Sequence, residues 1–195
     1  MLVVGGPSGS GKSSLLPLAE TGFDHFNVDD RCAALNNGSY QKISGETRDR
    51  ANKECEEFID EHIRDRKSFA VETTLRSDIT FTQVAQAKTN GFFVYLEYIA
   101  TDGEEENVER VKIRADGGGH SAPPWKIREI YRASLQNLPR AVREFDAVTT
   151  YDNTVRGRRP RLVLRAYGGR VTHVSQDPPR WLTSALKGTD YRIEV

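Results

Sequence analysis

Short apolar segments alternate with longer amphipathic ones along most of the chain. Five of the short segments have the length and composition of β-strands, at residues 2–4, 24–28, 68–72, 92–99 and 146–151. Residues 92–99 are almost continuously apolar, which is typical of a central parallel strand covered on both faces. The alternation of strands with helices predicts an α/β fold, a three-layer sandwich with a mostly parallel five-stranded sheet between helices.

Helical signals occupy the segments between these strands. Apolar residues recur every three or four positions in a predicted helix from 44 to about 66. Further helices are predicted at about 79–89 and about 125–138. Either Thr101 or Asp102 is expected to cap another helix, whose first turn carries glutamates that favour the helix dipole.

Three consecutive glycines, residues 117–119, separate two helices that carry arginines. Glycine restricts the backbone little, so we predict a mobile lid over about residues 110–128. An ordinary connecting loop is the alternative.

Arginines are concentrated near the C-terminal end, at about residues 156–175. Gly168-Gly169 lies between two strand-like stretches there, a pattern typical of a β-hairpin. Clustered arginines also occur in proteins that bind nucleic acid. A solvated edge hairpin is the favoured interpretation, because charged edges discourage aggregation and the rest of the chain has no basic excess.

Length and composition indicate a globular protein, and we expect residues 1–195 to form a single domain. Lysine plus arginine and aspartate plus glutamate number 28 each, so net charge argues neither for nor against nucleic acid. No apolar stretch approaches membrane-spanning length and no leader precedes the first strand, so a cytoplasmic protein without membrane contact is expected. Neither Cys32 and Cys55 nor the four histidines have metal-ligand spacing.

The most informative stretch follows the first predicted strand and matches the P-loop spacing of glycine, four residues and Gly-Lys-Ser. A helix-compatible run at 14–20 comes after it, although a plain glycine- and serine-rich connector is the alternative. Glycines let backbone N–H groups converge on a phosphate, the lysine neutralises the β- and γ-phosphates, and the serine hydroxyl binds Mg²⁺. The residues expected to bind the nucleotide here are Gly6, Ser8, Gly9, Ser10, Gly11, Lys12, Ser13 and Ser14, with Ser13 as metal ligand.

Polar residues also follow three other predicted strands. The carboxyl ends of neighbouring strands in a doubly wound sheet form one crevice, so we expect these residues near the P-loop. They are Asp29 and Asp30 after the second strand, Glu72, Thr73 and Thr74 after the third, and Asp152 and Asn153 after the fifth.

Phosphoryl transfer requires a base near the acceptor hydroxyl and cations around the γ-phosphate. Asp29 is the candidate base, and its position suits the N-cap of the next helix equally well. Glu72 is a candidate to hold Mg²⁺ through water or to contact substrate, with a buried structural carboxylate as the alternative. Arg110 and Arg114 lie on one helical face and are candidate lid cations.

Taken in their order along the chain, the P-loop and the motifs that follow it resemble those of the zeta-toxin-like P-loop kinases. Beyond the P-loop, the resemblance rests on Asn27-Val28-Asp29, Phe69–Leu75, Arg110–Arg114, Gly118-Gly119-His120, Pro123, Ile127, Tyr131, Ser134-Leu135, Asn137-Leu138 and Asp152-Asn153, and it covers about residues 1–153. It implies a kinase that uses ATP or GTP, with Mg²⁺, on a hydroxyl of a small acceptor. Characterised zeta toxins phosphorylate UDP-N-acetylglucosamine and are neutralised by a small antitoxin, which implies a candidate substrate and a candidate protein partner.

The resemblance also implies roles for single residues. Asp29 looks like the general base, Lys12, Arg110 and Arg114 like the catalytic cations, and Ser13 like the Mg²⁺ ligand. Asp29, Asp30, Glu72, Thr73 and Thr74 are placed with the substrate, and Asp152 and Asn153 with the nucleotide. The chain departs from the family pattern in its paired aspartates, in its shorter length, and in His120–Pro124, where the family has His-x-Val-Pro.

Two other classes of function are alternatives to a kinase. An ATPase that drives a partner predicts an apolar strand ending in Asp-Glu and a Leu-Ser-Gly-Gly loop, and neither occurs. A binding protein without turnover is disfavoured by the intact Lys12, Ser13 and Asp29. A kinase of another metabolite, a nucleoside or an antibiotic is the main alternative.

Overall fold

The computed structural model describes residues 1–189 and 191, and within them seven strands form one sheet. The strands are β1 (Leu2–Gly5), β2 (Asp24–Phe26), β3 (Phe69–Thr73), β4 (Tyr95–Ala100), β5 (Ala147–Asp152), β6 (Arg161–Tyr167) and β7 (Arg170–Val174). Their order is β2-β3-β1-β4-β5-β6-β7, with β1 to β5 parallel and the last two antiparallel. The predicted α/β fold with a mostly parallel sheet is confirmed, and the hairpin extends the same sheet.

Helices connect the strands. They are α1 (Lys12–Leu15), α2 (Val28–Leu35), α3 (Gly45–Arg64), α4 (Asp78–Thr89), α5 (Glu104–Asp116), α6 (Pro124–Glu144) and α7 (Arg180–Leu186), with a short 3₁₀ helix at Leu18–Glu20. None of the helices in the described ranges is long and apolar enough to cross a membrane.

Both faces of the sheet are covered, because successive side chains of a strand point to opposite sides. Val3 belongs to the main core, which contains residues of α3, α4, α6 and α7. Its neighbour Val4 packs on the other face with Leu18 and Ala70. The central strand β1 is therefore buried on both sides.

The helix after the P-loop is shorter than the sequence pattern predicts. Helix α1 ends at Leu15 instead of continuing to Glu20. Pro17 has no N–H to donate and disfavours helical geometry in Leu16, whose φ and ψ are −133° and 66°. The chain resumes as the separate 3₁₀ turn.

The start of α5 also differs from the prediction. Its N-cap is Gly103, and neither Thr101 nor Asp102 caps it. The Thr101 hydroxyl instead donates to the side chain of Asn107, and both residues are fully buried. Competition from this buried hydrogen bond explains why the cap assignment was wrong.

Two helical segments toward the C-terminal end are not predicted by the hydrophobic pattern of the sequence. Helix α6 continues through Pro139 to Glu144, and its last turns bury Ala141 and Val142 in the main core. Helix α7 was not predicted, and it buries Trp181 and Leu182 in the same core. Contacts distant in sequence stabilise both segments.

The predicted Gly-Gly turn is present. Gly168 and Gly169 have φ of 55° and 77°, which suits the tight turn between β6 and β7. However, β6 is an interior strand, since it pairs with β5 on one side and β7 on the other. Val163 and Leu164 are fully buried there, so the hairpin contributes to the core as well as to the edge.

Candidate active site

The P-loop joins the carboxyl end of β1 to α1 and packs tightly against its surroundings. Gly6, Gly9 and Gly11 all have positive φ, at 142°, 82° and 100°. A Cβ on Gly6 would lie 2.1 Å from the Ile99 carbonyl oxygen, and one on Gly9 would lie 2.6 Å from that of Asn107. Only glycine fits these positions, because both the backbone angles and the close neighbours exclude a side chain.

Two asparagines from distant elements hold the loop in place. Asn107 Nδ2 donates to the Ser8 carbonyl at 2.6 Å, and Asn153 Nδ2 donates to the Ser10 carbonyl at 2.8 Å. Asn107 was not predicted as a site residue, since nothing in the sequence pattern of α5 marks it as buried. The Ser10 hydroxyl is buried and has no hydrogen-bond partner among the described residues.

Lys12 lies against the loop that precedes it. Its Nζ donates to the carbonyls of Gly6 at 2.8 Å and Pro7 at 3.1 Å, and it lies 3.7 Å from Glu72 Oε1. Burial lowers the pKa of Lys12, and the negative charge of Glu72 opposes that effect. A buried ammonium held by carbonyls and one carboxylate is suited to neutralising a phosphate.

Glu72 is placed beside the loop by the sheet itself. Val4 of β1 is paired in register with Glu72 of β3, so the carboxylate lies where the loop begins. Ser13 Oγ donates to Glu72 Oε2 at 3.0 Å. A hydroxyl and a carboxylate are oxygen ligands of the kind Mg²⁺ takes together with substrate phosphates. No group of three or more His, Cys, Asp or Glu side chains that could hold a metal ion occurs in the part of the chain described.

The structure separates the two roles considered for Asp29. Asn27 is the N-cap of α2, and its Oδ1 accepts from the backbone N–H groups of Asp29 at 2.9 Å and Asp30 at 3.3 Å. The Asp29 carboxylate instead accepts from Arg48 Nη1 of α3 at 3.2 Å. Asp30 accepts from the Tyr40 hydroxyl at 2.8 Å.

These groups open into one cavity of about 290 Å³. Its walls combine the P-loop, the first turn of α2, the end of β3 and the segment after α5. The lining residues are Ser8, Gly9, Gly11, Lys12, Ser13, Ser14, Asn27, Asp29, Asp30, Tyr40, Glu72, Thr74, Arg114, Gly119 and His120. Asn27 and Tyr40 were not among the predicted site residues. Thr73 is directed elsewhere, since its hydroxyl is hydrogen-bonded to Thr80 at 2.9 Å.

A second cavity of about 450 Å³ adjoins the first at the P-loop. The two share Gly9, Gly11, Ser14 and Arg114. The second is lined further by Leu15, Arg110, Asn153, Arg156, Gly157 and Arg158. Its position beside the same loop is suited to the nucleoside part of a bound nucleotide.

The two predicted lid arginines occupy different positions. Arg114 lines both cavities, whereas Arg110 belongs to the wall of the second. The Arg110 guanidinium is held by Glu106 at 2.7 Å and by the Asn153 and Thr154 carbonyls at 2.8 and 3.1 Å. These contacts join α5 to the segment after β5.

The adjacent residues Asp152 and Asn153 also contact different parts of the protein. Asp152 Oδ1 accepts from Trp181 Nε1 at 3.1 Å and from the Thr154 hydroxyl at 2.5 Å. Asp152 therefore anchors α7 to the end of β5. Asn153 supports the P-loop and lines the second cavity.

The glycine segment folds back toward the P-loop. Arg114 Nε donates to the His120 carbonyl at 3.3 Å, and His120 lines the first cavity. Burial lowers the pKa of His120, although the negative charge of Asp29 opposes the effect. The imidazole is consequently neutral near pH 7.

A glycine-rich loop lies at the carboxyl end of the central parallel strand β1. Its lysine and serine contact a carboxylate of β3, the neighbouring strand in the sheet. These features define a P-loop protein with the fold of the P-loop kinases. The family model described as Zeta toxin matches residues 1–163. The chain therefore belongs to the zeta toxin family.

Similar proteins are known by sequence and by structure. An uncharacterized protein of Haemophilus influenzae is 31% identical over 116 residues, which are 59% of this chain and 80% of that protein. The structure of AvrRxo1-ORF1:-ORF2 with ATP is similar with a TM-score of 0.68 at 17% identity, covering 89% of this chain and 60% of that chain. The PezAT toxin–antitoxin system of Streptococcus pneumoniae gives a TM-score of 0.59 at 18% identity, covering 95% and 75%. At these identities the two structures establish the shared fold.

Proposed function

We propose that the protein is a kinase that transfers the γ-phosphate of ATP or GTP to a hydroxyl group of a small acceptor. The observation that carries this proposal is that Lys12 and Ser13 open into the same cavity as Asp29. The groups that bind a triphosphate and a group able to accept a hydroxyl proton thus face one space. Phosphoryl transfer requires this arrangement, because its catalysis is mainly positioning and charge stabilisation.

The donor side consists of the P-loop and its neighbours. Backbone N–H groups of the loop hold the phosphates, and Lys12 neutralises their charge. Ser13 and Glu72 are the residues that would hold Mg²⁺, which would neutralise developing charge on the phosphates. Arg114 adds a cation at the junction of the two cavities, and Arg110 shapes the nucleoside side.

The acceptor side is built around Asp29. Arg48 donates a hydrogen bond to Asp29 Oδ1, whereas Asp29 Oδ2 has no hydrogen-bond partner among residues 1–189 and 191. Asn27 supplies the helix cap, so the carboxylate is available to accept a proton. We therefore give Asp29 the role of general base toward the acceptor hydroxyl.

The resemblance to zeta toxins makes UDP-N-acetylglucosamine the first acceptor to test. Another metabolite, a nucleoside or an antibiotic is the alternative acceptor class. The similar structure of the PezAT toxin–antitoxin system supports a small antitoxin protein as a partner of this chain too.

The decisive experiment is detection of a phosphorylated product by mass spectrometry. The protein is incubated with ATP, Mg²⁺ and a metabolite pool that includes UDP-N-acetylglucosamine, and the Lys12→Ala variant serves as the inactive control. We expect one hydroxylated metabolite to gain a phosphate with the wild type alone. ATP hydrolysis without any phosphorylated metabolite would argue for an ATPase instead.

A further inference from the structure

One face of the sheet is open to solvent at its hairpin end. Side chains paired across neighbouring strands lie on the same face, and the registers place Val4, Glu97, Thr149, Arg165 and His173 in one row across the sheet. Val4 and Thr149 are buried, Glu97 is partly buried, and Arg165 and His173 are exposed. The 3₁₀ turn covers this face at Val4, so the cover ends before β6 and β7.

A second row on the same face ends in an exposed aromatic pair. The registers place Leu2, Tyr95, Ala147, Tyr167 and Arg170 in this row. Tyr167 is 64% exposed, and its ring centroid lies 6.3 Å from that of Phe93, which is 53% exposed. The two ring planes are inclined by 31°, so the rings form a nearly continuous apolar step on the sheet.

Two arginines flank the aromatic pair. Arg170 is the cross-strand partner of Tyr167, and Arg165 lies two positions before it on the same face. Within the described part of the chain, neither guanidinium has a hydrogen-bond or ion-pair partner. We call Phe93, Arg165, Tyr167 and Arg170 the hairpin patch.

The carboxylate on this face is too distant to neutralise the arginines. Glu97 is two strands away from Arg165, which corresponds to about 10 Å. The Tyr95 hydroxyl donates to Glu97 Oε1 at 3.2 Å, and burial raises the pKa of Glu97. The hairpin patch therefore combines two exposed rings with two available positive charges.

The size of the open face limits what can bind there. Four strands with about five residues each span about 19 Å by 17 Å. This is less than half of the roughly 800 Å² that each partner buries in a stable protein interface. A sheet with exposed aromatic side chains can instead stack about two or three unpaired bases, while arginines contact the phosphates.

We propose that the hairpin patch binds a short single-stranded segment of RNA, with bases stacked on Phe93 and Tyr167 and phosphates bound by Arg165 and Arg170. RNA is the favoured ligand because stacking requires unpaired bases, which RNA loops and ends provide, whereas the bases of DNA are normally paired. The balanced net charge of the chain is compatible with such a local contact.

The proposed RNA site is separate from the nucleotide cavities. Phe93 precedes β4, at the amino end of the parallel strands, whereas the P-loop follows the carboxyl end of β1. RNA binding at the hairpin patch is thus independent of the proposed kinase function.

Fluorescence anisotropy tests the proposal with a labelled oligoadenylate RNA of about eight nucleotides. A saturating non-hydrolysable ATP analogue and Mg²⁺ fill the nucleotide site, and RNA binding should persist. The logarithm of the binding constant should fall against the logarithm of the salt concentration with a slope of about −1.4, as expected for two phosphate contacts. The same RNA annealed to its complement should bind at least about fivefold more weakly, because paired bases cannot stack on the rings.

Variants of the patch separate stacking from charge. Tyr167→Leu should weaken RNA binding by about fivefold or more, and Tyr167→Phe should retain it. Arg165→Ala should make the salt slope shallower by about 0.7, since one phosphate contact is lost. Arg159→Ala is the matched control, because Arg159 is exposed in the same arginine-rich segment but lies outside the patch. Binding of the ATP analogue should be unchanged in all four variants.

Several results would overturn the proposal. These are absence of RNA binding, displacement of the RNA by the ATP analogue, and equal binding by Tyr167→Leu and the wild type. Tighter binding of single-stranded DNA of the same sequence would refute the choice of RNA. A dimer in sedimentation velocity that Tyr167→Leu dissociates, with no RNA binding, would make the face a protein interface instead.

Discussion

Ser13 and Glu72 are joined by a hydrogen bond of 3.0 Å although they lie 59 positions apart in the sequence. The other oxygen of the same carboxylate is 3.7 Å from Lys12 Nζ. The parallel register of β1 and β3 positions this contact, because Val4 pairs with Glu72. In the proposed kinase, Glu72 would therefore compete with a phosphate for Lys12 and would help Ser13 to hold Mg²⁺.

Replacing Glu72 with glutamine tests this double role. Loss of the carboxylate charge should release Lys12. In the presence of EDTA, the variant should therefore bind ATP about three- to tenfold more tightly than the wild type. The Mg²⁺ concentration needed for half-maximal turnover should rise, because one oxygen ligand or its hydrogen bond is lost. Isothermal titration calorimetry and a Mg²⁺ titration measure the two effects, with exposed Glu56→Gln as the control. Unchanged values in both would refute the competition.

The Lys12→Ala variant should abolish phosphate transfer and weaken ATP binding, since the main counter-charge to the phosphates is removed. Equilibrium binding of a fluorescent ATP analogue measures the change. Lys53→Ala provides the control, because Lys53 is an exposed lysine on α3. If Lys12→Ala binds nucleotide as the wild type does, the P-loop assignment is wrong.

For the base, Asp29→Asn should lower turnover by roughly two to four orders of magnitude while nucleotide binding persists. The amide keeps the shape of the side chain and its contact to Arg48 but cannot accept a proton. Steady-state kinetics and nucleotide binding are compared with those of Asp49→Asn. Turnover near the wild-type value would move the role to Asp30 or Glu72.

Asn107 is predicted to be a structural support of the P-loop. Asn107→Ala would leave the Ser8 carbonyl and the Thr101 hydroxyl without their buried partner. The free energy of unfolding should fall by about 1–3 kcal/mol, and ATP should bind more weakly. Urea denaturation measures the first effect, and exposed Asn52→Ala should change neither. A stability equal to that of the wild type would contradict this role.

Tryptophan fluorescence can test the predicted lid. Trp125 follows the glycine segment and is 63% exposed, whereas Trp181 is buried in the core. In a Trp181→Phe variant the emission comes from Trp125, and we expect it to change when ATP and Mg²⁺ are added. Absence of any change at saturating nucleotide would leave the segment a plain loop.

Several elements could be predicted because their signals are local. The strands that lead into the P-loop and toward Asp29, and the strand that carries Glu72, follow from short apolar segments, and the hairpin follows from Gly168-Gly169. Helix ends were less predictable, because competing contacts decide them. Asn27 rather than Asp29 caps α2, and Gly103 rather than Thr101 caps α5.

Other parts of the site depend on packing between distant segments. Tyr40 reaches Asp30 across 10 positions, Arg48 reaches Asp29 across 19, and Asn107 reaches Ser8 across 99. Each contact requires two elements to be docked, and side-chain periodicity carries no information about which elements meet. Likewise, Arg110 and Arg114 share a helical face and both line the second cavity, but only Arg114 also lines the first once α5 is packed.

The sequence by itself determined the phosphate-binding loop, since its glycines, lysine and serine are contiguous and the backbone geometry they require is local. It also determined the α/β class, because strand and helix periodicities are read within each segment. Tertiary structure alone decided the hydrogen-bond partners of the two aspartates. The pairing of Asp29 with Arg48 and of Asp30 with Tyr40 arises from the packing of α2 against the segments that follow it.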